Sequence, residues 1–346
     1  MRRPVLLLVL ACVAAAALYA EAPKPKGLEI RFIDVEGGQS TLFVTPSGES
    51  MLIDTGFPDN DDRDLNRVMA AIKDAGLKKL DYLVLTHYHA DHAGNVAAIA
   101  GRIPIGTFVD HGALREPSAD LDALYESYVK ARARGRHIEA APGDKLPFLD
   151  LEVTIAAADG ALLSSPLPGA GAPNPLCEGY TMHDVDRSEN AYSLGAVIVF
   201  GRFRMLDLGD LDWNNEYMLA CPNNLIGPID LYLTTHHGLF QSGADVLVHA
   251  IKPRVAIMNN GATKGGSASA MRIVRDSPGL LDFWQLHFAR DAGEANVPDR
   301  RIANLDESTA FGIVVEAQRD GSFTVTNGRT RETRKYATAA SARSRN

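Results

Sequence analysis

His87-Tyr88-His89-Ala90-Asp91-His92 follows directly on Leu80-Asp81-Tyr82-Leu83-Val84-Leu85-Thr86. The second stretch is apolar and rich in β-formers, with no helical spacing, and predicts a buried strand. The first puts three imidazoles and a carboxylate into six residues at the end of that strand. Such residues make poor core and good ligands. Imidazole nitrogen combined with carboxylate oxygen suits zinc, iron, manganese or nickel. Side chains on the turn after a strand can converge above the sheet edge, where open α/β sheets hold their ligands.

Outward from this cluster the chain alternates strand and helix patterns. Strands are expected at 28–34, 40–45 and 51–54, with Pro46-Ser47-Gly48 turning the last two into a hairpin. A helix is expected over 61–75, with Leu65, Val68, Met69 and Ile72 on one face and Gly76 as its stop. Further strands are expected at 105–109, 152–157, 193–200, 203–208, 230–235 and 254–258, and near Phe283, Phe311 and Phe323. Helices are expected near 95 and at 121–134, 212–220, 245–251 and 268–275. Residues 159–175 form an Ala/Gly/Pro/Ser-rich connection, long enough to border a site. A strand ending in Thr-His occurs twice, at Thr86-His87 and Thr235-His236, which fits an internal repeat. The alternation implies an α/β class with helices outside.

The 346 residues carry a net charge of −8, which argues against a protein that grips long duplex nucleic acid. Arg2 and Arg3 precede an apolar run from Val5 to Ala20, followed by small residues. This pattern predicts a signal peptide over 1–20, a linker over 21–27 and a periplasmic or secreted protein with no stable membrane span after cleavage. Cys177 and Cys221 would then meet an oxidising compartment; the sequence leaves open whether they pair. Basic residues gather in 327–346, which reads as a disordered tail.

Thr86-His87-Tyr88-His89-Ala90-Asp91-His92-Ala93-Gly94-Asn95 resembles the metal-binding motif of the metallo-β-lactamase superfamily. Within it the chain most resembles the hydrolase domain of ComEC-like competence proteins. The supporting segments are Phe32 to Ser40, Met51-Leu52-Ile53-Asp54-Thr55-Gly56, Asn190-Ala191-Tyr192-Ser193-Leu194, Met205-Leu206-Asp207-Leu208-Gly209-Asp210 and Leu233-Thr234-Thr235-His236-His237-Gly238. The resemblance implies a single domain over 28–326, a four-layer αββα sandwich with the site at one sheet edge.

It also implies two divalent metal ions, zinc before manganese or iron. His87 and His89 would hold the first, Asp91, His92 and His236 the second, and Asp210 would bridge them. Water activated between the ions would attack the substrate, with Asp91 and His237 as the catalytic pair. No residue matches the family's further first-metal histidine; His111, His183, Asn190, Ser193 or water remain open for that place. Asp54 is expected to orient the metal loop, and His287 to be exposed or packed rather than in the pocket.

The function expected is secreted metal-dependent hydrolysis of a small phosphodiester or ester-type substrate. A metallo-β-lactamase acting on β-lactams and a non-catalytic metal-stabilised binding protein are the rivals. Oligomeric state is not legible in the sequence.

Overall fold

The computed structural model describes residues 25–58 and 61–339. The expected signal peptide, with Cys12, lies outside the described residues. The strands are β1 (Leu28–Phe32), β2 (Thr41–Val44), β3 (Ser50–Ile53), β4 (Leu80–Val84), β5 (Ile105–Asp110), β6 (Arg136–Glu139), β7 (Lys145–Leu146), β8 (Glu152–Ala158) and β9 (Ala161–Leu162) in the first half. The second half adds β10 (Gly195–Phe200), β11 (Phe203–Asp207), β12 (Leu231–Leu233), β13 (Val255–Met258), β14 (Asp282–His287), β15 (Ile302–Asn304), β16 (Ile313–Ala317), β17 (Phe323–Asn327) and β18 (Thr333–Tyr336). The α-helices among the described residues are α1 (Arg63–Asp74), α2 (Ala90–Ala93), α3 (Val96–Arg102), α4 (Ala119–Arg132), α5 (Trp213–Ala220), α6 (Asp245–Ile251) and α7 (Ala268–Arg275).

Two sheets result. One runs β18-β17-β16-β1-β2-β3-β4-β5-β6, the other β15-β14-β13-β12-β11-β10-β8-β7, with β9 paired to β8. Strand β4 is parallel to both neighbours, with Leu83 opposite Leu52 and Phe108. Strands β11 to β15 are parallel throughout. The crossovers between parallel strands carry helices, which must cover the outer faces.

The side-chain alternation of the strands sorts the core into three layers. Ile30, Phe43, Ile53 and Val84 pack between the sheets against Ile155, Ile198, Met205 and Trp284. One residue over on β4, Leu83 faces outward and packs with Leu52, Leu65, Val68 and Ile72 under α1. Across the molecule Tyr232, Ala256 and Phe283 pack with Leu247, Val248 and Met271 of α6 and α7. This is an α/β sandwich of four layers, helix, sheet, sheet, helix. Helix α1 is amphipathic, and its Leu65, Val68 and Ile72 are fully buried. Burial of side chains of that size contributes roughly 1.5–3 kcal/mol each.

The basic tail departs from expectation. Thr333–Tyr336 forms β18, pairing antiparallel with β17. Arg334 and Tyr336 both reach the buried Asp282, and Trp284 Nε1 donates to Tyr336 Oη at 3.2 Å. A sheet edge and a buried carboxylate order what composition alone reads as disorder. Strands β16 to β18 return to the first sheet, so the sandwich is closed by the C-terminal strands rather than by two self-contained halves.

Candidate metal centre

The loops that follow β3, β4, β11 and β12 meet at one edge of the sandwich. Gly209 lets two of them touch. It has φ 57°, and a Cβ there would stand 2.7 Å from Thr86 Cβ. Only a residue without a side chain fits both demands, so the next residue, Asp210, arrives against the His87 loop.

Four atoms form the tightest group. His92 Nε2 lies 3.2 Å from Asp91 Oδ2 and 3.2 Å from Asp210 Oδ2. His237 Nε2 is 3.2 Å from the same two oxygens and 3.2 Å from His92 Nε2. Near-equal edges of this length match a tetrahedron of nitrogen and oxygen ligands about 2.0–2.2 Å from a central ion. All four residues are buried.

His87 and His89 stand beside this group. His87 Nε2 is 3.0 Å from His89 Nδ1 and 4.0 Å from Asp210 Oδ2. Asp210 Oδ1 is buried and has no hydrogen-bond partner. An unmatched carboxylate oxygen is costly in protein and is what a bridging ligand offers to a second ion.

The order of the histidine pair is corrected. His237, not His236, joins Asp91, His92 and Asp210. Both residues adopt left-handed backbone, φ 53° and 55°, and this turn brings the second ring into the group. His236 Nε2 stays 3.5 Å from Asp210 Oδ2, and its Nδ1 is 3.2 Å from Ser242 Oγ.

Orienting partners surround the histidines. Asp54 Oδ2 is 2.7 Å from His92 Nδ1 and accepts Thr86 Oγ1–H at 2.7 Å, while Oδ1 accepts Thr86 N–H at 2.9 Å. His89 Nε2 meets Glu116 Oε2 at 3.1 Å, and Asn259 Nδ2 meets His237 Nδ1 at 3.1 Å. Such contacts fix ring orientation and ligand basicity.

The charge balance fits cations. Burial, reinforced by His92, pushes His87 well below the usual imidazole range, so its ring is neutral. Burial alone would raise Asp210, but His237, His92 and His236 outweigh it and hold the carboxylate ionised. Burial likewise opposes ionisation of Asp91, and His92, His237 and Lys264 overcome it. Burial lowers His92, yet Asp210, Asp91 and Asp54 drive it well above its usual value. The site therefore demands positive charge beside its paired carboxylates, which divalent ions supply.

The remaining candidates for the first-metal place separate. His111 Nε2 is 3.1 Å from Glu189 Oε2, away from the group. His183 stacks on Trp213, with ring centroids 3.5 Å apart. Ser193 Oγ accepts Asp210 N–H at 3.3 Å. Asn190 Oδ1 is buried with no hydrogen-bond partner. His287 is buried, with Nε2 2.7 Å from Asp34 Oδ1, in a second acidic grouping with Glu36.

Sequence reasoning missed Lys264. Its ammonium pairs with Asp91 Oδ2 and sits 5.1 Å from the Phe57 ring centroid. It stands in a glycine-rich turn with no periodic or motif signal. The Cys177–Cys221 disulfide, which the sequence left undecided, is present, with Cα atoms 5.7 Å apart.

Residues 34–175 match the family model described as "Metallo-beta-lactamase superfamily". A UPF0173 metal-dependent hydrolase of Staphylococcus epidermidis is 37% identical over 65 residues, 19% of this chain and 25% of that protein. The chain thus spans about a quarter of the length of the first curated relatives it matches. A UPF0173 protein of Pyrococcus abyssi is 27% identical over 240 residues, 68% of this chain and 86% of that protein. Among solved structures, the metallo-beta-lactamase fold protein YhfI from Bacillus subtilis superposes with a TM-score of 0.47 at 12% identity, over 75% of this chain and 95% of that one.

Proposed function

For a chain with this superfamily signature, we propose a metal-dependent hydrolase that acts on a small phosphodiester or ester-type substrate. The observation that carries the proposal is the group Asp91, His92, Asp210 and His237, four ligand atoms within 4.8 Å of one another.

These four residues would hold one divalent ion; His87 and His89, with the free Oδ1 of Asp210, would hold a second. Zinc suits the nitrogen-and-oxygen donor set, and manganese or iron can share it. When bound, such ions polarise the attacked group and lower the pKa of water to about 7.

The protein's own residues supply the rest. Asp54 and Asn259 orient His92 and His237. His236 takes over the acid–base role expected of His237, because its Nε2 lies outside the tight group yet 3.5 Å from Asp210. Lys264 presents its ammonium beside Asp91, where it meets negative charge on a substrate and favours an anionic ester. Its neighbour Phe57 lines a cavity of about 280 Å³ with Arg63 and Thr263, room for a substrate group on that side.

The histidine pair ending in Gly238 and the Asn190-to-Ser193 segment support a ComEC-like subtype. Among the described residues no helix is long and apolar enough to cross a membrane. The Cys177–Cys221 disulfide supports export to an oxidising compartment, periplasmic or extracellular.

The test is turnover of bis-p-nitrophenyl phosphate, p-nitrophenyl esters and nitrocefin by metal-reconstituted protein, beside Asp210→Ala and His89→Ala. Phosphodiester or ester turnover lost in both variants supports the proposal. Turnover that survives both removes the metal mechanism, and turnover of nitrocefin alone replaces the substrate class.

A further inference from the structure

Two consecutive residues with side chains, His236 (φ 53°, ψ 44°) and His237 (φ 55°, ψ 16°), lie in the left-handed region. The β-carbon crowds the backbone there, so such a pair persists only where its surroundings impose it. Part of the hold is local. His236 N–H donates to Gly209 O at 3.0 Å, and Leu239 N–H donates to His236 O at 2.8 Å. The hold on His237 comes from further along the chain.

The connection from β13 to α7, residues 259–267, runs against this turn. Gly266 N–H donates to His237 O at 2.9 Å. Ser267 N–H donates to Gly238 O at 2.8 Å, and Ser267 Oγ–H donates to the same oxygen at 3.0 Å. Gly265 permits the approach. Its φ is 76°, and a Cβ there would stand 2.3 Å from His237 O and 2.7 Å from His237 Cβ. A side chain at this position would drive the two segments apart.

The same connection reaches the metal group directly. Asn259 Nδ2 is 3.1 Å from His237 Nδ1, and Lys264 pairs with Asp91 Oδ2. Gly261 N–H donates to Lys264 O at 2.8 Å, which closes the segment between those contacts. His237 is thus held at its ring by one end of the connection and at its carbonyl by the other. The peptide is planar, so ψ is the free rotation between Cα and carbonyl. With the carbonyl pinned, the direction of the Cα–Cβ bond and of the ring is set. Among the described residues, no hydrogen bond joins His236 to this connection.

We propose that the Gly265-Gly266-Ser267 turn is a positioning element that selects His237 rather than His236 as the metal ligand. It rests on the metal-dependent reading above and deepens it. The turn acts through His237 and Gly238 and takes no part in the chemistry.

The test is zinc affinity by chelator competition, with the circular dichroism and thermal midpoint of each metal-free protein recorded beside it. The wild type should bind zinc, His237→Ala should lose it, and His236→Ala should match the wild type. Gly265→Ala should weaken binding about 10–100-fold, the range for losing a partner that orients a ligand. Adding His236→Ala to that variant should weaken it by about tenfold more, because a relaxed turn lets either ring reach the ion.

Ser267 carries the test should Gly265→Ala fail to fold. Ser267→Gly takes the hydroxyl from Gly238 O but leaves a residue tolerated at the start of α7, where Ser267 is the N-cap. Its zinc affinity should fall about two- to tenfold, the size of one neutral hydrogen bond. Ser267→Thr keeps the hydroxyl and should match the wild type. Unchanged affinity in Ser267→Gly, or in a folded Gly265→Ala, overturns the inference. Weakened binding in Gly265→Ala that does not depend on His236 overturns the selection. Zinc affinity that His237→Ala leaves intact removes the metal-centre reading itself, and the inference with it.

Discussion

Asp54 Oδ2 and His92 Nδ1 meet at 2.7 Å, 38 positions apart in sequence, with neither side chain exposed to solvent. The same carboxylate holds both the N–H and the hydroxyl of Thr86, at the foot of the histidine loop. One side chain on the end of β3 thus fixes both the start of the loop and the ring that points into the metal group. Asp54→Asn keeps the shape but weakens the acceptor. Metal affinity, read by chelator competition, should fall about 10–100-fold. Unchanged affinity would reduce Asp54 to a packing role.

His236 and His237 differ by one position and should differ in kind. His237→Ala removes a member of the four-atom group. Metal content after dialysis should drop, and turnover with it. His236→Ala should retain that metal and lose turnover. Metal analysis by mass spectrometry separates the two; equal metal loss in both variants would return His236 to the ligand set.

Lys264→Met removes the ammonium beside Asp91 without removing a metal-ligand candidate. A charged hydrogen bond is worth about 1.5–3 kcal/mol, so KM for bis-p-nitrophenyl phosphate should rise about tenfold or more, with metal content retained. A KM that does not move would leave Lys264 as a neutralising partner of Asp91 alone.

Glu216 gives a pH signature of its own. It is fully buried on α5, its Oε2 accepts Ala244 N–H at 2.8 Å, and burial pushes its carboxyl up to about 7 from 4.5. The folded state therefore holds a proton that the unfolded chain releases between about pH 4.5 and 7. Its stability contribution is whole below that window and falls as pH rises through it, by about 3 kcal/mol at most. Glu216→Gln should match the wild type in thermal midpoint at pH 5 and exceed it at pH 8. Parallel pH curves for the two proteins would refute this.

The Cys177–Cys221 bridge closes a loop 44 residues apart in sequence. Its removal in Cys177→Ser/Cys221→Ser should cost about 2–4 kcal/mol of stability to urea.

The α/β class, the helix faces and the crowding of His87, His89, Asp91 and His92 were legible because they are local. Periodicity of 2 or 3.6 and ligand spacing within one loop are written in consecutive residues. The pairing of strands across the chain was not. Strand β18 was read as disorder, because its order comes from β17 and from Asp282, 52 positions before Arg334.

The sequence by itself determined which residue types could bind metal and roughly where strands and helices run, since those depend on near neighbours. Only the tertiary structure decided that His237 rather than His236 enters the group, that Lys264 stands at Asp91, and that the two cysteines bond. Each of these depends on backbone direction in a turn or on contact between segments far apart in the chain. Such choices are made by the packing of two sheets against each other, and no single stretch of residues encodes them.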